Sequence, residues 1–332
     1  MLESVFRILP ATLAAIIDGL VEASKSQLEE IRIRENRPLE IVVAGKFSFV
    51  ARDGSEVSEP SGAYRPSKDD CMRLLDKLSN HSLYTLEEEL RRGYITVRGG
   101  HRVGIAGRTV LERGAIRQMK DITCFNVRIA RELPGIASKL LPKLIDPAVG
   151  TIHPTLLLSP PGRGKTTLLR DIARSMSYGR LLRTGVPRAV KVGIVDERSE
   201  LAACVDGVPS FDVGPRTDVL DGCPKADGMM MMIRSMSPDV LVVDEIGRAE
   251  DTAGLHEAML SGVRVIASAH ASDLTQARHK PILRELMTMK LFTRYVVLGE
   301  RTVGNADLHV FDDKYELVVE PVAARVMVNR RC

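Results

Sequence analysis

The sequence predicts an α/β protein in two parts: a smaller N-terminal α+β domain over 1–133 and a C-terminal domain over 151–332 built on a mainly parallel sheet. Three observations carry this. In the second half the apolar runs 156–158, 192–195, 240–243 and 265–267 alternate with helical segments, as strands buried on both faces of a parallel sheet do. The first half mixes alternating strands with amphipathic helices. Between them Pro134, Gly135, Pro142, Pro147 and Gly150 mark a linker over 134–150. A chain of 332 residues, 44% hydrophobic and 27% charged, can hold about two domains and is neither fibrous nor disordered.

In the first half, Leu13, Ile16, Ile17, Leu20 and Val21 follow helical spacing and predict a helix over roughly 11–23. Glu3 and Asp18 sit where a signal peptide would be basic and apolar, so the segment reads as part of a cytoplasmic protein. Ile31 and Ile33 alternate with Arg32 and Arg34 in a half-buried strand over 28–34. Ile41, Val42 and Val43 form another, followed by a tight turn at Gly45-Lys46. Cys71, Leu74, Leu75 and Leu78 make an amphipathic helix with Ser67 as its N-cap. Thr85-Leu86-Glu87-Glu88 opens a third helix, and short strands punctuated by glycine follow from 94 to 130. In the second half the four methionines at 229–232 read as core.

Composition excludes several functions. Aromatic residues are 4% and Trp is absent, which weighs against a protein that reads bases by stacking. Five cysteines, with no C-x-x-C pair, fit free thiols in a reducing compartment and no zinc site. No run reaches the length of a membrane helix. His256-Glu257 begins a zincin pattern, but Leu260 stands at the second His position.

The strongest signal is Ser159-Pro160-Pro161-Gly162-Arg163-Gly164-Lys165-Thr166-Thr167, between an apolar run and a helical segment. Strand, loop, helix is the setting a phosphate-binding loop requires. Gly162 and Gly164 let backbone N–H groups turn inward around a phosphate, and the helix start adds partial positive charge. Lys165 would meet the β- and γ-phosphates of ATP, and the Thr166 hydroxyl would bind Mg²⁺. Ser159 stands where the usual pattern has glycine. There is no N-K-x-D motif to read guanine.

The run 240–243 ends in Asp244-Glu245, a Walker B pattern in which Asp244 would hold the Mg²⁺ shell and Glu245 would handle the attacking water. The run 263–267 leads to Ser268-Ala269-His270, and His270 reads as a sensor of the γ-phosphate or as an ordinary loop histidine. Asp196-Glu197-Arg198-Ser199-Glu200 also follows an apolar run. Taken alone it reads as a solvated loop; at a strand's carboxyl end it makes Glu197 and Glu200 further catalytic candidates.

Residues 91–131 hold ten Lys and Arg against Glu112 and Asp121, a local charge of +8 in a chain of net charge +4. Such a field attracts an anion: a nucleotide, nucleic acid, a lipid surface or an acidic partner. A plain solvated face is the alternative. Arg102 and Arg128 are the candidates to complete a nucleotide site.

Together these residues resemble the secretion ATPase superfamily, the motors of type II and type IV secretion and pilus assembly. Its P-loop, acidic box, Walker B strand and His box would be 159–166, 196–200, 240–245 and 268–270. Within it the sporulation branch is the nearest likeness, through Gly99-Gly100-His101-Arg102-Val103-Gly104, Asn126-Val127-Arg128-Ile129-Ala130, the stretch 216–225 and the stretch 233–239. Asp244, where the wider family often has Gly, and the lack of a Cys-rich insert point to that branch. The resemblance implies a C-terminal RecA-like P-loop ATPase domain. It also implies a homohexameric ring, in peripheral contact with a membrane at its inner face and partnered by the membrane proteins of a sporulation channel. A RecA-like nucleic-acid translocase and a nucleotide-gated scaffold are the competing readings, and Glu245 argues against the scaffold.

Overall fold

The computed structural model describes residues 2–79, 90, 93–112, 115–179, 186–302 and 305–318. By contact the chain divides into two units, Met1–Glu132 with Ala203–Phe211, and Leu133–Ala202 with Asp212–Cys332.

Unit 1 begins with helices α1 (Glu3–Ile8), α2 (Ala11–Asp18) and α3 (Glu22–Gln27). The single helix expected over 11–23 is broken at Gly19. A side chain there would stand 2.7 Å from the Asp53 carbonyl oxygen, and Val21 is extended. Strands β1 (Leu28–Arg34), β2 (Glu40–Val43), β3 (Lys46–Val50) and β4 (Glu56–Val57) follow. Ala44 and Gly45, both at positive φ, make the turn between β2 and β3. Helix α4 (Lys68–Leu78) starts in a capping box of Ser67 and Asp70, as its sequence predicts. The helix expected at Thr85 lies outside the described residues.

The short strands expected from 94 to 130 are instead β5 (Tyr94–Val97) and one long hairpin, β6 (His101–Glu112) and β7 (Ala115–Arg128). Gly104 and Gly107 lie within β6 and do not end it. At Gly107 any side chain would clash with the Lys120 carbonyl at 2.6 Å, so the glycine permits a bulge. The sheet runs β4-β3-β2-β1-β7-β6-β5, all antiparallel. Ile31, Ile33, Val103, Phe125 and Val127 share the core with Leu13, Ile17 and Leu74 from the helices. Arg32 and Arg34, on the opposite face, pair with Glu30 and Glu40 at 3.0 and 2.7 Å.

Gly100 has φ 74°, and a Cβ there would lie 2.2 Å from the Phe211 ring. Only glycine lets the ring seat on that turn. His101 beside it is 1% exposed. Its Nδ1 accepts from the Ala130 N–H at 3.1 Å, which leaves the ring proton on Nε2, 2.8 Å from Ser4 Oγ. Burial pushes its pKa down to about 4.

Unit 2 carries α5 (Leu141–Leu144) and the short pair β8 (Ile145–Asp146) and β9 (Thr151–Ile152). Ala137, Leu140, Leu141 and Leu144, within the Pro/Gly-rich stretch, are buried. Asp171 accepts the Gly135 and Ala137 N–H groups at 3.0 and 2.8 Å. The main sheet is β12-β11-β13-β14-β10-β15-β16. The four apolar runs are β10 (Thr155–Ser159), β11 (Val192–Asp196), β13 (Val240–Val243) and β14 (Arg264–His270). Three further strands complete it, β12 (Thr217–Asp221), β15 (Arg294–Thr302) and β16 (Asn305–Asp312). All pairings are parallel except β15 with β16.

Helix α6 (Lys165–Tyr178) packs against the sheet, as do α7 (Lys225–Met236) and α8 (Ala249–Leu260). Helices α9 (Leu274–His279) and α10 (Pro281–Thr288) follow β14. Of the methionine run, Met229 and Met232 are core, but Met231 is exposed, because one helix face cannot bury consecutive residues. The four described cysteines are free thiols. Among the described residues no helix is long and apolar enough to cross a membrane.

His101 gives unit 1 a predictable pH dependence. Its folded pKa lies below its unfolded value of 6.5, so its contribution is full above pH 6.5 and is lost as pH falls toward 4. The loss is on the order of 3 kcal/mol at most. Urea midpoints of the full chain should fall across that window, and His101→Asn, which keeps the acceptor but cannot charge, should fall less. Parallel curves for the two proteins would refute the assignment.

Candidate functional site

The site lies at the carboxyl ends of β10, β14 and β13, three neighbours in one parallel sheet, where open α/β sheets bind ligands. After β10 the loop turns through Gly162 at φ 74° and Gly164 at φ 89° into α6. Both need the left-handed region that glycine occupies freely. Ser159, in the position where glycine is usual, ends β10 as an ordinary strand residue at negative φ. A side chain therefore fits, and its Oγ donates to the Pro160 carbonyl at 2.7 Å.

Lys165 is 4% exposed. Its ammonium donates to the Ser159 and Pro160 carbonyls, each at 3.3 Å, and to His270 Nδ1 at 3.0 Å. Burial lowers its pKa, against the opposing charges of Asp244, Glu245 and Glu200. An ammonium has no lone pair to offer, so His270 Nδ1 accepts and the ring proton sits on Nε2. That atom is 3.0 Å from Glu245 Oε1. Lys165 and Glu245 are thus joined through one imidazole.

Asp244 is held from two sides. Thr166 Oγ1 donates to its Oδ2 at 2.6 Å. Ser268 Oγ, on β14, bonds its Oδ1 and also accepts the Glu245 N–H at 3.0 Å. Glu245 has φ 53°, a conformation uncommon for a non-glycine residue, and this N–H bond helps to fix it. Thr166 and Asp244 bring a hydroxyl and a carboxylate side by side at the start of α6. These hard oxygen donors, beside a glycine-bearing turn at a helix N-terminus, fit a magnesium–nucleotide phosphate group.

The solvated loop expected at 196–200 is exposed at Arg198 and half-buried at Glu197, Ser199 and Glu200, but the expectation fails at its first residue. Asp196 is 2% exposed and accepts the backbone N–H groups of Glu200, Leu201 and Ala202, each at 2.9 Å. Burial outweighs these bonds and pushes its pKa up to about 6. Arg170 of α6 donates to the Leu201 and Glu200 carbonyls at 2.5 and 2.7 Å. Glu197 is paired with Lys225 and, at 3.3 Å, with Arg248. Burial alone would raise its carboxyl, but Lys225 holds it below the usual range.

Arg102 and Arg128 stand in unit 1, opposite one another on β6 and β7. Arg102 lies over the Tyr94 ring at 3.4 Å, and Arg128 is 3.8 Å from Glu30. Sequence reasoning missed Ser268, Lys225 and Arg198. Ser268 shares the strand face of His270, two residues on, and that spacing could have found it. Lys225 ends the distinctive stretch 216–225. Arg198 pairs with Glu245 Oε2 at 2.5 Å and was hidden as one cation among acids.

Known proteins resemble this chain over most of its length. The profile of the family described as "Sporulation stage III, protein AA" matches residues 2–318. Stage III sporulation protein AA of Bacillus subtilis is 46% identical over 311 residues, 94% of this chain and 95% of that protein. Among solved structures, the Legionella pneumophila ATPase DotB aligns with a TM-score of 0.53 at 17% identity, covering 89% of this chain and 78% of that one. The pilus retraction motor PilT with bound ADP gives 0.52 at 16%, covering 91% and 82%. The structural likenesses show a shared RecA-like fold, and the sequence match is close over nearly the whole length of both chains. The chain belongs to the stage III sporulation protein AA family.

Proposed function

We propose that this protein is a Mg²⁺-dependent ATPase that works as a homohexameric ring. It would power a secretion-like channel in endospore formation from the cytoplasmic face of a membrane. One observation carries the enzymatic part: Lys165, Thr166, Asp244, Glu245 and His270, from three strand ends, form one hydrogen-bonded constellation joined through Ser268. The ring and the channel rest on the family and on the fold shared with DotB and with PilT, a motor.

In this reading the loop from Ser159 to Thr167 wraps the phosphates, with the N–H groups around Gly162 and Gly164 facing them. Lys165 exchanges its carbonyl partners for the β- and γ-phosphates. Thr166 and Asp244 would hold Mg²⁺, which would supply positive charge against the phosphate oxygens. Glu245 orients a water and takes its proton as the water oxygen bonds to the γ-phosphorus and the bond to the β-phosphate oxygen breaks. His270 ties that base to the lysine. Glu197, engaged by Lys225, supports the acidic loop, and Glu200 adds negative charge near Lys165.

Two variants separate binding from chemistry. Lys165→Ala should lose most ATP affinity in a calorimetric titration. Glu245→Gln should bind ATP as the wild type does while turnover falls by ~10² or more, the scale of a lost general base. Wild-type affinity in the first, or near wild-type turnover in the second, would refute the assignment.

Arg102 or Arg128 would complete the site from the same subunit or a neighbour, as an arginine supplied in trans can be worth 10³–10⁵ in rate. Arg128→Lys keeps the charge but loses the planar fork, so turnover should fall even where ATP binding is kept. If Lys at both positions left rates unchanged at all protein concentrations, the basic segment would be a partner face. Nucleic acid and acidic lipid would then be the ligands to test, in a salt series.

A further inference from the structure

Glu245 is gripped at both carboxylate oxygens. His270 Nε2 lies 3.0 Å from Oε1 and Arg198 Nη1 lies 2.5 Å from Oε2. The Arg198 side chain is about half exposed, whereas that of Glu245 is largely buried. The loop that carries Arg198 is fixed on every side. Asp196 gathers three of its N–H groups, Arg170 binds two of its carbonyls, Ser199 Oγ bonds Asp221 at 2.7 Å, and Glu197 is anchored by Lys225. A flexible cation is therefore presented to Glu245 from a rigid base.

We propose that Arg198 is a positioning residue for Glu245, holding its carboxylate in place for the attacking water. The inference rests on the ATPase reading above and deepens it. His270 draws one oxygen of Glu245 toward Lys165, whose ammonium already feels the Glu245 charge. A carboxylate free to turn further would pair directly with that lysine, removing both the base and the phosphate-binding cation from the reaction. Arg198, on the other oxygen, opposes that rotation. A carboxylate oxygen has two lone-pair directions, so one partner on each leaves room for a water proton.

The test is steady-state MgATP turnover by the full chain in five forms: wild type, Arg198→Ala, Arg198→Lys, Glu245→Gln and the double variant Arg198→Ala/Glu245→Gln. Arg198→Ala should lower kcat by about tenfold, the scale of one charge-assisted hydrogen bond, with KM within about twofold. Arg198→Lys, which keeps the charge at the end of a flexible chain, should recover most of the loss. In the double variant the arginine change should cost nothing beyond Glu245→Gln, because its effect passes through that carboxylate. Multiplying losses, or a loss confined to KM, would mean that Arg198 acts on the phosphates and would overturn the inference. So would wild-type turnover in Arg198→Ala, with the ATPase reading intact. A wild type that binds ATP without hydrolysing it would overturn both. If Arg198→Ala melts below the wild type, the comparison of Arg198→Lys with Arg198→Gln decides in its place.

Discussion

A charge taken out of water must be met by partners, and the buried ammonium of Lys165 is where that constraint acts. Its partners are two carbonyls of its own loop and one nitrogen of His270. The third contact has consequences beyond the lysine. It fixes which imidazole nitrogen carries the proton, and so aims that proton at Glu245. Strand β14 makes this possible because it lies between β13 and β10. Two of its residues on one face, Ser268 and His270, reach the acids of one neighbour and the lysine of the other. The sheet order thus decides which residues can react together.

The acidic loop after β11 adds a second layer. It reads as a run of solvated charges but folds around a buried carboxylate. Asp196 spends its acceptors on the loop's own backbone, and Glu197 on Lys225 and Arg248. Arg198 faces Glu245 from the loop. A cluster that looks like a solvated anionic run folds around its own backbone and draws its cations from other elements.

What was legible in the sequence followed from local rules. The glycine-rich turn between β10 and α6 shows itself because its glycines, lysine and hydroxyl are adjacent, and β10, β11, β13 and β14 because strands buried on both faces are apolar throughout. The Ser67 cap is visible because capping is local. Edge strand β12 was missed because it is half-exposed and carries Asp218 and Asp221. The long hairpin of β6 and β7 was cut into pieces because Gly107 looks like a turn but serves a bulge. The seat of Phe211 on Gly100 joins residues more than a hundred positions apart in the chain, which no local pattern encodes. The same holds for Arg198 and Glu245. Their pairing depends on β11 and β13 lying side by side, and spacing alone cannot reveal it.

The most direct test of the account is a structure of the protein with Mg²⁺ and a non-hydrolysable ATP analogue. The account predicts phosphates in the loop of Gly162 and Gly164, Lys165 Nζ within hydrogen-bond distance of the β- and γ-phosphates, and the metal between Thr166 and Asp244. Glu245 should face the γ-phosphate with Arg198 still on its outer oxygen. A nucleotide bound elsewhere, or Lys165 still satisfied by its loop carbonyls and His270 in the loaded protein, would contradict it.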